Sequence, residues 1–430
     1  MTTSANPDEQ AAPLVVRTVR LDLDPEVPLL DLLPAPHDGG PPLVTWLRRS
    51  EGLVGWGAAA QLRTHGAGRF AEADRWWQGI SARALVRDEV DEPGTGLVAF
   101  GSFAFADDPG ESLLSVPEVV VGRRGRQTWL TTASRGGLEL LDRRESIGVA
   151  DPPPPPGQVR FGDGALNGEQ WMAVVADAVA RINAGDLEKV VLARDLVATT
   201  DEPLDVRWPL GRLATGYPTC WTFHVDGILG ATPELLVRRE RGLVTSRVLA
   251  GTIRRTGDDD RDLISAATLA RSSKDLEEHE YAVRSVADSL APHCSSMNVP
   301  EAPFVLHLPN VMHLATDVAG VVHDAATVSS LQLAEALHPS AAVGGTPTDR
   351  ARELIDEVEH LDRGRYAGPV GWLDAAGDGE WGIALRSAEL HGDTVRLFAG
   401  CGIVADSDPA AELAESQAKL VPIRDALAGP

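Results

Sequence analysis

Apolar positions along the chain fall into two rhythms, and the helical one is clearest after residue 167. Trp171, Val174, Val175, Val179 and Ile182 share one face of a 3.6-residue period. Asn167 can accept a free amide at the start of that helix, and Gly185 offers its stop. A strand over 190–192 follows directly. The same period predicts helices over 71–84, 259–271, 275–290, 329–337, 350–362 and 409–427. Short apolar or alternating runs bounded by Gly, Pro and Asp predict strands over 97–105, 118–122, 219–225, 235–238, 370–374, 383–390 and 394–399. Strands come in runs instead of alternating one for one with helices. The chain is therefore predicted to be α+β with largely antiparallel sheets.

Five consecutive prolines at 152–156, followed by Gly157, interrupt both rhythms. Such a run is extended polyproline and fits neither a packed helix nor a central strand. The predicted organisation is a disordered tail over 1–12, a strand-rich N-terminal subdomain of the same fold over 13–150, a Pro-rich linker over 151–160, and a catalytic region over 161–430. Residues 13–150 carry no constellation of reactive side chains, so their expected role is scaffold. The net charge of −24 repels nucleic acid and anionic membrane, and any anionic ligand then needs a local positive site. No apolar run approaches the ~20 residues of a membrane helix, and the first residues lack the basic and apolar regions of a signal peptide. Cys220, Cys294 and Cys401 show no metal-binding spacing and fit a reducing compartment. These features predict a cytoplasmic protein without nucleic-acid or membrane partners.

Two clusters of carboxylates change the picture. Asp275 and Glu278 are three residues apart in a helical pattern and share a face. Glu412, Glu415 and Lys419 repeat the arrangement on a helix opened by Asp408-Pro409. Either cluster alone reads first as a solvated face, and Asp275 could serve Ser272 in a capping box. Together they suggest a divalent cation held between two helices. Oxygen ligands without nearby His or Cys spacing suit Mg²⁺, which keeps several waters and can bind a substrate carboxylate. Lys419 on the same face could neutralise that carboxylate further.

Lys189 stands between the helix stop and the apolar Val190-Val191-Leu192. Partial burial disfavours its ammonium and can make it a base near neutral pH, although a lone Lys there can also simply snorkel from a strand end. Glu234 follows Pro233 and precedes Leu235-Leu236-Val237, a setting that can raise a carboxyl pKa for use as an acid. A plain strand-edge charge is the alternative.

Read in order, these motifs resemble those of the chorismate-utilising enzymes, a family that includes isochorismate and salicylate synthases and the large subunits of anthranilate and aminodeoxychorismate synthase. The shared marks are Pro233-Glu234-Leu235-Leu236, Leu249-Ala250-Gly251-Thr252, Lys274-Asp275 with Glu278-His279, Asn310-Val311 with His313-Leu314 and Thr316, His338-Pro339-Ser340, Tyr366 with Gly368, Gly400-Cys401-Gly402-Ile403-Val404, and Glu412 with Glu415 and Lys419. They run from about residue 167 to 427. The resemblance implies a large two-sheet, mostly antiparallel sandwich of the anthranilate synthase component I type, and one Mg²⁺. It implies Glu278 and Glu415 as metal ligands, with Asp275 and Glu412 holding the metal's waters. It also implies Lys189 as base, Glu234 as acid, and substrate contacts from Thr252, Tyr366, Arg386, Gly400, Gly402, Lys419 and His338. His279 and His313 are read as hydrogen-bonded structural residues.

Two positions sort the subfamilies. Relatives that use ammonia carry Gln where this chain has Lys189, and aminodeoxychorismate synthases carry Lys where it has Ala250. The chain is therefore similar to the water-adding members, and Ala342-Val343-Gly344-Gly345-Thr346-Pro347 is closer to isochorismate synthases than to salicylate synthases. The implied reaction is Mg²⁺-dependent conversion of chorismate to isochorismate. Salicylate synthase is the alternative, followed by an aminating enzyme and a non-catalytic chorismate-binding protein. No glutamine amidotransferase partner is expected, and the chain would act as a monomer or homodimer. Ser340 for Thr and Cys401 for Ala are small departures from the family pattern.

Overall fold

The computed structural model describes residues 12–37, 39–135, 147–309, 311–392 and 394–428, without the side chains of Lys274 and Glu278. The expected disordered tail therefore lies outside the described residues except for Ala12. Two sheets organise what is described, one of thirteen strands and one of ten. Pairing is antiparallel apart from Leu14–Arg20 beside Leu85–Asp88. Strands from either side of the prolines interleave: Trp221–Val225 pairs with Leu43–Arg48 in the larger sheet, and Pro369–Asp374 with Val98–Ser102 in the smaller. Apolar side chains of both sheets meet in shared clusters, among them Trp46, Phe100, Phe223 and Trp372. No described helix is long and apolar enough to cross a membrane.

The helices follow the apolar stripes closely. Gly168–Asn183 opens with a full capping box, Asn167 and Gln170 each accepting the other's backbone amide, and buries Trp171, Val175, Ala178 and Ile182. Asp259–Leu269, Ser273–Leu290, Ser330–Ala336, Thr348–Val358 and Pro409–Ala428 lie within a few residues of their predicted bounds.

Two strand readings need correction. The run predicted as one strand over 383–390 is two, Gly379–Ile383 in the smaller sheet and Ser387–His391 in the larger. The chain changes sheet between them, and Arg386 turns the corner at φ 50°, a left-handed conformation that side chains other than glycine seldom adopt. Apolar residues on both sides of the crossing hide it from pattern reading. Conversely, Leu243–Arg254 and Val311–Val322 form a long antiparallel pair that the strand predictions omit. Arg247, Thr252, His313 and Asp317 break the apolar alternation there.

Strand Lys189–Thr200 holds the middle of the C-terminal half. One edge pairs with Thr394–Ile403 through ten registered residues. The other edge is paired only at its ends, Lys189 and Val190 with Gly345-Thr346, and 196–200 with Val159–Asp163. Backbone groups in the gap must still be satisfied, because buried amides and carbonyls are costly to leave bare. Side chains do this. Ala193 N donates to Glu359 Oε1 (2.7 Å) and Arg363 Nη2 donates to Val191 O (2.6 Å). Trp171 Nε1 donates to Ala193 O (3.1 Å). Glu359, at the C-terminal end of helix Thr348–Val358, and Arg363, in the non-helical segment beyond it, are 1% and 3% exposed and pair with each other, with Arg363 Nε 2.8 Å from Glu359 Oε2. Arg363 Nη1 also donates to Val343 O (3.0 Å). Arg363→Met should cost about 3–5 kcal/mol in chemical denaturation, because it strands a buried carboxylate. Glu359→Gln/Arg363→Met should recover part of that loss, and equal losses in both variants would contradict the coupling.

Candidate active site

Strand ends and loops from both sheets converge on a cavity of about 270 Å³. Lys189 and Val191, two residues apart on one strand, both line it. Directly across the ladder Val191 faces Gly402 and Ala193 faces Gly400. Gly400 and Gly402 also line the cavity, so the partner strand takes no side-chain volume from it. A Cβ on Gly400 would come within 3.0 Å of the Tyr366 hydroxyl. Tyr366 is buried and its ring stacks on Phe398, centroids 5.0 Å apart. Burial pushes its hydroxyl up to about 12, which keeps it a neutral donor through the physiological range.

Glu234 enters from the opposite side, at the mouth of strand Leu235–Glu240, its amide donating to Thr232 Oγ1 (3.2 Å). It is 7% exposed. Burial raises its carboxyl to about 7, against the pull of Arg386, Lys189 and Lys419. The group is then substantially protonated at neutral pH. Arg386 reaches the same cavity because the chain switches sheets at that residue. Thr252 is aimed by a bulge. Gly251 at φ 72° sits unpaired between Ala250 and Thr252 in the ladder, and Thr252 then faces His313, with its Oγ1 3.0 Å from His313 Nδ1. Burial lowers His313 to about 3, so it is neutral. His279 Nε2 lies 2.7 Å from Thr316 Oγ1, a buried structural contact.

The third wall is carboxylate-rich. Glu412 and Glu415 project from helix Pro409–Ala428, and Asp275 from the first turn of Ser273–Leu290, where Ser272 Oγ accepts the Asp275 amide (3.2 Å). Asp275 therefore has both a capping partner and a place on the cavity. One oxygen from each of Glu412 and Glu415, with Cys401 Sγ, lie within 4.8 Å of one another. Lys419 Nζ is 2.6 Å from Glu415 Oε1 and donates to Gly400 O (2.9 Å). Burial disfavours the Glu415 charge, but Lys419 beside it holds the carboxyl below its usual range. Glu412 Oε1 accepts from Ser407 Oγ (2.9 Å). Glu278 lies one turn beyond Asp275 on the same helix, and its side chain is outside the described residues, as are Asn310 and the Lys274 side chain.

One expected substrate contact does not reach the cavity. His338 follows the short helix Ser330–Ala336 and turns toward the N-terminal region, its Nε2 3.0 Å from Phe105 O and its ring edge-on to Phe105. Its backbone neighbours Ala342 and Val343 line the cavity in its place. Arg363 and Ser407 also line it and were not singled out from sequence. Glu359 and Arg363 at i, i+4 spacing were the available signal for the first. Read from sequence, such a pair resembles any exposed helical ion pair.

Residues 20–428 match the family described as chorismate binding enzyme. An isochorismate synthase of Bacillus subtilis is 31% identical over 406 residues, spanning 88% of this chain and 85% of its own length. The salicylate biosynthesis isochorismate synthase of Pseudomonas aeruginosa is 34% identical over 440 residues, spanning 96% and 90%. The solved structure of the menaquinone-specific isochorismate synthase from Escherichia coli matches with a TM-score of 0.81 at 26% identity, covering 97% of this chain and 95% of that one.

The buried acid has a consequence for stability. Its folded pKa of about 7 lies above the ordinary 4.5 of a glutamate, so the folded state binds a proton more tightly than the unfolded chain. The favourable contribution is complete below about 4.5 and is lost as pH rises through 7. Glu234→Gln should therefore match wild-type Tm at pH 5 and exceed it by about 1–3 °C at pH 8. A pH-independent difference would contradict the burial argument.

Proposed function

The chain belongs to the chorismate-binding enzyme family, and from that membership and the cavity we infer that it is an isochorismate synthase, an isomerase converting chorismate to isochorismate. The observation that carries the reading is Lys189 and a carboxyl with a pKa near 7 on the walls of one cavity, beside a cluster of cations and acids.

Lys189 takes a proton from a water that attacks C2 of the ring. The ring double bonds shift, and Glu234 gives its proton to the C4 hydroxyl, which leaves as water. One hydroxyl is gained and one lost, so substrate and product are isomers. Separating base from acid across the ring lets both act in one cycle, because the acid's raised pKa keeps its proton in place until the hydroxyl departs. Tyr366 and Arg386 hold the enolpyruvyl carboxylate by hydrogen bond and charge. Thr252 and the backbone around Gly400 and Gly402 orient the ring. Relatives with ammonia as nucleophile differ at the positions of Lys189 and Ala250, which supports water here and an enzyme that works without an amidotransferase.

Glu415, with Glu278 by family pattern, would hold Mg²⁺ through carboxylate oxygens that suit that ion, and Glu412 and Asp275, which also line the cavity, would hold its waters. When bound, Mg²⁺ supplies positive charge against the ring carboxylate. Lys419 adds a second cation on that side, so a protein of net charge −24 can accept a dianion.

Lys189→Ala should lower kcat by at least about 10³-fold while Mg²⁺-dependent chorismate binding, read by calorimetry, changes little. Normal turnover would remove Lys189 as the base. Glu415→Gln should raise the Mg²⁺ concentration needed for half-maximal activity by about 10–100-fold; an unchanged titration would remove its ligand role. Because the acid must be protonated, kcat/KM should fall as pH rises through about 7. A profile flat to pH 9 would count against Glu234.

A further inference from the structure

Glu234 also borders a much smaller cavity of about 10 Å³, whose lining includes no residue of the strand carrying Lys189. Glu234 and Ala342 line both spaces, so the acid forms part of the wall between them. The rest of the small cavity is apolar except for Ser340, Ser246 and Arg247. Arg247 is turned to Asp317, which takes its Nε and Nη2 (2.7 and 2.8 Å). Ser340 is 8% exposed and Ser246 2%. The Ser340 hydroxyl is buried and has no hydrogen-bond partner among the described residues.

A buried hydroxyl without a partner costs about 1–3 kcal/mol. The space beside it is at the roughly 10–15 Å³ a cavity needs to admit one water, and such waters bind about three polar groups. Ser340, Ser246 and Glu234 are three polar residues on this wall. We propose that a single fixed water fills this cavity, bridging Ser340 to the rear oxygen of Glu234, and that Ser340 is a positioning residue for the acid. In the proposed arrangement the Ser340 hydroxyl donates to the water and the water donates to the rear oxygen, which then serves as acceptor. The proton then stays on the oxygen facing the main cavity, where the leaving hydroxyl departs. No bond to Ser340 forms or breaks. A dry cavity would leave the carboxyl free to present its proton to either side. This inference rests on the role of Glu234 proposed above.

The test has a structural and a kinetic arm. A high-resolution crystal structure of the full chain should show an ordered water within hydrogen-bond distance of both Ser340 Oγ and Glu234, and density for an empty cavity would overturn the proposal. Ser340→Ala should lower kcat by about tenfold with the KM for chorismate changed less than about twofold, since only the proton's orientation is disturbed. Ser340→Thr, which keeps the hydroxyl, should restore kcat. Full activity in Ser340→Ala would refute the role. So would a loss in Ser340→Ala that Ser340→Thr fails to restore, or a loss accompanied by an equal rise in KM and a lower Tm. The water is read without turnover, so a wild-type product other than isochorismate would sink the functional reading and leave the cavity arm standing.

Discussion

The buried Glu359–Arg363 pair is the contact on which the site's geometry depends most. Strand Lys189–Thr200 is paired from Val190 to Thr199 on one side, and the gap on the other side falls just after Lys189 and Val190. The pair closes that gap by accepting from Ala193 N and donating to Val191 O and Val343 O. It thereby joins three walls of the cavity: the base strand, the 342–345 loop and the segment leading to Tyr366. Hydrophobic packing could not do the same, because bare backbone groups in a buried strand edge need polar partners. A charged pair has the reach and the donors to supply them.

Around that frame the cavity gathers charged groups. Lys189, Arg386 and Lys419 all act on the buried Glu234, while Glu415 pairs directly with Lys419 and lies near Glu412. Burial acts on both Glu234 and Glu415, yet the outcomes differ by neighbour. Glu234, whose cations are outweighed by desolvation, keeps its proton near neutrality; Glu415, 2.6 Å from an ammonium, stays charged. Under the roles proposed above, the same residue type would serve as acid at one position and as anionic ligand at the other. Position in the fold, not chemistry of the side chain, makes the difference.

Much of this was legible in the chain. Helix stripes gave bounds close to those observed, since a one-sided apolar face is a local property of sequence. The motif residues Lys189, Glu234, Thr252, Tyr366, Arg386 and Glu415 do line one cavity. What escaped was non-local. The sheet switch at Arg386 lies inside an apolar run that looks like one strand. The paired strands Leu243–Arg254 and Val311–Val322 carry polar residues because their ends build the site, and this blurs the very alternation that marks strands. His338 lies in a recognisable motif yet points to Phe105, because a short helix ends just before it, and it is Ala342 and Val343 further along the chain that line the cavity.

The most direct measurement is product identification from purified full-length protein with chorismate and Mg²⁺, separated by chromatography, with EDTA and ammonium as controls. The account predicts isochorismate alone, formed without ammonium and lost with EDTA. Salicylate with pyruvate, or turnover only when ammonium is present, would contradict it.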